Sequence, residues 1–209
     1  MEPVTFRKTE EASLARLAMA LEERLRARGA PGRPVVFACI GTDRSTGDAL
    51  GPLVGERLLR LGCEAGSVIG SLERPLHALN LSERLSPRLD ARPSPLVVAV
   101  DAALGPLSSV GSVTLRGGGI RPGNGVGKDL PEVGELSLTA AVNVQAGQLD
   151  AQVLQSTRLW LVKGLAERIE HAVLVGHAQH RPRRVGADRA TGGRAGAERG
   201  LSAAYAGRR

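Results

Sequence analysis

Two uninterrupted apolar runs of strand length constrain this chain more than any other feature: VVFACI at Val35–Ile40 and LVVAV at Leu96–Val100. A strand with one wet face alternates apolar and polar residues. A run with no polar member has to be covered on both faces, as an inner strand of a helix-flanked parallel sheet is. After the first run the polar loop TDRSTGD leads into ALGPLVGERLLRLG, where Leu50, Val54, Leu58 and Leu61 recur at helical spacing. Strand, polar loop and helix make the first half of a βαβ unit, so the fold class is α/β around a mixed, mostly parallel sheet.

The alternation continues along the chain. SVIG at Ser67–Gly70 is a short strand, Pro75 to about Leu85 a helix, and the second apolar run closes on Asp101. Val110–Arg116 alternates as an exposed or edge strand does, and Gly117–Pro131 is dense enough in glycine and proline to form a long, shaped loop. Glu135–Val142 reads as a strand, Asp150–Glu170 as a helix with Leu154, Leu161, Leu165 and Ile169 inward, and Ala172–Val175 as a last short strand. Ahead of all this, residues 9–28 carry Leu14, Leu17, Leu21 and Leu25 on one helical stripe, with Thr9 as cap and Gly29 as stop. Three regions result: an amphipathic helix and linker over 1–33, the α/β domain over 34–177, and an Arg/Gly-rich tail over 178–209 expected to be disordered.

Charge and composition narrow the function classes. The net charge of +7 is concentrated in the tail, where eight arginines face only Asp188 and Glu198 from Gln179 onward, so the remainder is close to neutral. Nucleic-acid binding by this tail rests on charge alone, and a solvated appendage accounts for it better. Aromatic residues make up 2% of the chain, too few for the stacking platforms of single-strand recognition. No run approaches the ~20 apolar residues of a membrane helix and no apolar signal core opens the chain, so a cytoplasmic protein with no membrane partner is expected. Cys39 and Cys63 read as small core residues.

In open α/β sheets, sites form where loops leave the carboxyl ends of the strands. Asp48 lies in the loop after the first apolar run, and Asp101 directly follows the second. On neighbouring parallel strands the two carboxyl groups share one crevice. There one is held protonated while the other ionises, giving a general acid and a general base for a water molecule. A helix N-cap explains Asp48 equally well, and an Asx turn is the structural alternative for Asp101. Asp43 and Arg44 sit in the same loop, where they either pair with each other or hold substrate. Gly125 and Lys128 belong to the glycine loop, which fails as a phosphate-binding P-loop because Pro122 stands where its first glycine should be and Asp129 follows the lysine. It reads instead as a shaped flap or substrate-binding loop, with a purely structural loop as the alternative. His77, His171 and His177 have no metal-ligand spacing, and no metal or cofactor is expected.

GTDRSTGDALGPLVGERL (Gly41–Leu58), VVAVDAALG (Val97–Gly105), RPGNGVGKDLPEVGELSLT (Arg121–Thr139) and VNVQAGQLDAQVLQSTRLWLV (Val142–Val162) closely resemble the YyaC-like, spore-protease-like sporulation proteins. That family is similar to the germination protease of endospore formers, an aspartic-type endopeptidase that degrades small acid-soluble spore proteins, and more distantly to hydrogenase maturation proteases. The resemblance implies a three-layer, phosphorylase/hydrolase-like fold, a forespore or mother-cell location, and a protein or peptide substrate such as the small acid-soluble spore proteins. Asp48, in TGDALGP, matches the first catalytic aspartate of the germination protease and Asp101 the second. The metal site of the maturation proteases is not carried over, because no histidine follows in a matching motif. The implied activity is peptide-bond hydrolysis by an aspartate dyad. The alternative is a catalytically inactive sporulation factor that uses the same pocket to bind a peptide or ligand.

Overall fold

The computed structural model describes residues 2–7, 12–122 and 132–178. Strands β1 (Val4–Arg7), β2 (Val35–Cys39), β3 (Val68–Ile69), β4 (Leu96–Gly105), β5 (Ser112–Gly117) and β6 (Leu136–Val144) form one sheet in the order β1-β5-β6-β4-β2-β3. β3, β2, β4 and β6 are mutually parallel, while β5 and β1 are added antiparallel at one side. The sheet is therefore mixed and mostly parallel, as the sequence implies.

Helices cover both faces, and the two apolar runs show why no polar residue is tolerated in them. Val35, Phe37 and Cys39 of β2 point into a core shared with helices α1 (Ser13–Ala27), α2 (Leu50–Arg60) and α5 (Leu159–His177). Val36, Ala38 and Ile40 point the other way, against Leu81 and Leu85 of α3 (Leu81–Leu89). Leu96, Val98 and Val100 of β4 join the first core, and Val97 and Ala99 the second. Each fully buried aliphatic side chain contributes about 2 kcal/mol, so a polar residue at any of these positions would be costly on either face.

The helical stripe near the N-terminus is where the spacing places it, with Leu17, Leu21 and Leu25 fully buried. The sequence sets residues 1–33 apart from the α/β domain. In the structure β1 is the outermost strand of the sheet, with Val4 opposite Leu115, and α1 packs along α5, where Gly176 lies against the Ala18 carbonyl. Thr9, the expected cap, lies outside the described residues, as does the tail from Gln179.

Several expected elements differ. Ala172–Val175 belongs to α5, where Ala172 and Val173 continue the inward stripe of Val162, Leu165 and Ile169 while Val175 faces out. The helix expected over Asp150–Glu170 is broken at Ser156–Arg158 into α4 (Asp150–Gln155) and α5. Val110–Arg116 is not an edge: β5 is flanked by β6 and by β1, a strand the sequence did not reveal. α3 begins only at Leu81, which leaves His77 in the loop before it. The glycine loop is closed at its base by pairing of Ile120 with Val133, while Gly123–Pro131 lies outside the described residues.

Candidate active site

β4 does not stop at Asp101. It runs on to Gly105, with a register irregularity between Ala103 and Leu104, so Asp101 is a strand residue and no Asx turn forms. Its position follows from pairing: Asp101 lies opposite Thr139 of β6, and Val100 lies opposite Cys39, the last residue of β2. Strand alternation turns it to the side that Ala99 shares with α3. Its Oδ1 accepts the Ala102 N–H at 2.8 Å.

Asp48 sits in a 3-10 turn, Gly47–Ala49, that joins the loop to α2. It does not cap the helix, which starts at Leu50 without a side-chain cap. Two glycines bring this turn down onto the carboxyl end of β2. A Cβ on Gly51 would stand 2.0 Å from the Ile40 carbonyl oxygen, so only glycine lets the first turn of α2 lie on the strand. Gly41 has φ +139°, and a Cβ there would stand 2.0 Å from the backbone oxygen of Asp48, which also accepts the Thr42 N–H at 3.2 Å. From the other side the turn is held by α4, since Gly47 abuts Leu154 and the Thr157 hydroxyl. Asn143 at the end of β6 fixes that neighbour by donating to the Val153 carbonyl and the Thr157 hydroxyl.

The two carboxyl groups sense each other. Burial pushes Asp101 up to about 8, and the Asp48 charge and the Ala102 N–H then act in opposite directions on it. Burial also raises Asp48 above the ordinary carboxylate range. Burial thus favours the protonated form of both carboxyl groups, and that of Asp101 the more strongly.

Of the other expected site residues, Asp43 and Arg44 are exposed on the loop that leads to Asp48. Gly125 and Lys128 lie outside the described residues. Thr139, opposite Asp101, and Ser45, whose buried hydroxyl has no partner, were not singled out in the sequence, while His77, weighed there only as a metal ligand, has a buried Nδ1 without a partner. His77 follows Leu76, which bridges Ile40 beside the end of β2. Among the described residues no three His, Cys, Asp or Glu side chains form a group able to hold a metal ion. Also among the described residues, no helix is long and apolar enough to cross a membrane.

A family model described as "Protein of unknown function (DUF1256)" matches residues 5–172. The uncharacterized protein YyaC of Bacillus subtilis (strain 168) is 48% identical over 139 residues, which span 66% of this chain and 67% of that protein. Among solved structures, the [NiFe] hydrogenase maturation protease HycI from Thermococcus kodakarensis KOD1 aligns with a TM-score of 0.50 at 22% identity, over 76% of this chain and 97% of that one. At that identity the likeness is one of fold.

Proposed function

This chain is a YyaC-like member of the DUF1256 family with a protease-like fold, and from that premise we propose that it is an aspartic-type peptidase in which Asp48 and Asp101 activate water. The observation that carries the reading is the placement of Asp101 on β4 and of Asp48 on the turn after the neighbouring β2, with burial raising the pKa of both carboxyl groups. Asp48 takes a proton from a water molecule, whose oxygen attacks the scissile carbonyl carbon while Asp101 protonates the carbonyl oxygen. The tetrahedral gem-diol then returns its hydroxyl proton to Asp101 as the carbonyl re-forms. Asp48 passes its proton to the departing amine nitrogen, and the C–N bond breaks with both groups restored.

The surroundings favour a polypeptide substrate. Leu107 follows the carboxyl end of β4, Leu149 follows β6, and Leu159 and Trp160 open α5; all four are exposed, with Leu107 at 78% and Trp160 at 66%. Exposed apolar side chains on the segments that follow these strands suit protein side chains better than a polyanion. Small acid-soluble spore proteins are the substrates proposed, and the forespore or mother cell the compartment.

The test is cleavage of purified small acid-soluble spore proteins and of denatured casein, read by mass spectrometry, by the wild type and by Asp48→Asn and Asp101→Asn. Cleavage lost in both variants supports the dyad. Retained cleavage in either refutes it, and a folded wild type that cuts neither protein leaves a binding module in the same pocket.

A further inference from the structure

β1 ends the sheet on one side, and among the described residues it pairs only with β5. Gly118 donates its N–H to the Glu135 carbonyl at 2.9 Å. Antiparallel pairing alternates from there, so Ser112, Thr114 and Arg116 turn their backbone groups to β6 while Val113 and Leu115 turn theirs to β1. Val4 and Phe6 stand opposite Leu115 and Val113 and take up those bonds, which leaves the N–H and C=O of Thr5 and the N–H of Arg7 facing away from the sheet. The Arg7 carbonyl accepts from Arg168 at 3.3 Å. Pro3, two residues before Thr5, has a carbonyl but no N–H. Val4 and Phe6, with Met19 and Ala20 of α1, floor a groove of about 410 Å³ beside this edge, and Arg16 and Glu23 stand at its rim. Met19 is 68% exposed there.

An unpaired strand edge beside an apolar groove is a template for another strand, and the backbone pattern selects which one. In a two-fold antiparallel pairing centred on Thr5, the Thr5 residues of two copies exchange N–H and C=O, and each Arg7 N–H meets a Pro3 carbonyl. The Arg7 carbonyl, which Arg168 already occupies, falls opposite the residue with no N–H to give. Val4 and Phe6 of the two copies become close cross-strand neighbours over the groove. The helices match as well. The Arg16 guanidinium lies 5.9 Å from the centre of the Phe6 ring and Arg24 donates to the Glu2 carbonyl, so Thr5 is level with about residue 18 of α1. α1 packs over both β1 and β5, which sets two copies of it antiparallel and about 10 Å apart, a helix-packing distance. Met19 then meets Met19 of the second copy at the axis, and Arg16 comes within about one turn of Glu23 of the second copy.

We propose that this edge is a homodimer interface in which β1 pairs with β1 of a second copy of this chain, antiparallel and centred on Thr5, making one sheet continuous through both. β4, which carries Asp101, lies three strands further in, so the assignment stands apart from the peptidase reading.

Sedimentation velocity of the full chain is expected to give twice the 21.8 kDa of one copy. Thr5→Pro removes an N–H that β5 does not use and is expected to halve that mass. Arg16→Glu and Glu23→Arg, both at exposed positions of α1, each set like charges against each other and are expected to raise the dimer Kd about tenfold, and the double variant to restore it. Amide hydrogen exchange at Thr5 and Arg7 is expected to be about tenfold slower in the wild type than in either single charge variant. A monomeric wild type with fast-exchanging Thr5 and Arg7 amides overturns the assignment and leaves the edge to a strand of another protein. A dimer that Thr5→Pro leaves intact, or charge reversals that have no effect or are not restored in the double variant, overturns it by placing the interface elsewhere.

Discussion

Replacing Asp101 by asparagine should make the protein more stable at neutral and alkaline pH. In the unfolded chain this carboxyl ionises near 3.8, and in the folded protein burial pushes it up to about 8. A folded-state pKa raised above the unfolded one contributes stability that is fully present below the unfolded value and is lost as pH rises towards the folded one. Each pH unit between the two removes about 1.4 kcal/mol, so the full shift is worth about 4 kcal/mol at pH 7. Asp101 is partly exposed at the crevice wall, and solvent screening reduces this to about 2 kcal/mol. Asparagine is nearly isosteric, keeps an oxygen to accept the Ala102 N–H, and has no proton to lose. Urea unfolding of both proteins at pH 5, 6, 7, 8 and 9 is the assay. The stability difference in favour of Asp101→Asn is expected to widen from pH 5 to 8 and then level off. Parallel pH dependences, or a wild type more stable at pH 8, would refute the claim that Asp101 is held protonated in the fold.

For the active enzyme, kcat/KM is expected to rise with pH as Asp48 ionises, above the ordinary carboxylate range, and to fall near pH 8 as Asp101 loses its proton. A profile flat from pH 4 to 9 would contradict the acid–base pairing. Gly51→Ala places a methyl group against the Ile40 carbonyl, a backbone atom that cannot yield, and is expected to cost about 3 kcal/mol in chemical denaturation and to disturb the Asp48 turn. Arg57 on α2 pairs with Glu170 on α5, whose side chain is only 10% exposed. Arg57→Ala should therefore destabilise by about 2 kcal/mol through an unpaired buried carboxylate, and Arg57→Met with Glu170→Leu should recover most of it; equal stability of the single and double variants would exclude that cause.

Much of the fold was legible in local pattern. The unbroken runs at Val35–Ile40 and Leu96–Val100 could satisfy themselves only between two helical layers, and both are buried inner strands. Elements short of their own periodicity were not legible. Val4–Arg7 becomes a strand because β5 offers it an edge, and Ala172–Val175, strand-like in composition, stays helical because α5 carries its stripe through it. The break between α4 and α5 leaves the apolar spacing intact on both sides, so periodicity passed over it.

Residue pattern alone made this an α/β protein with acidic residues beyond two apolar runs, because burial on both faces is a consequence of that pattern. Tertiary structure decided what those residues can do. The Asp101 carboxyl is held protonated by burial, to which the Asp48 charge adds, and the pair is formed only when Gly41 and Gly51 let α2 settle on β2. Proximity, desolvation and an unmet hydrogen bond are properties of assembled space, and no local window of sequence contains them.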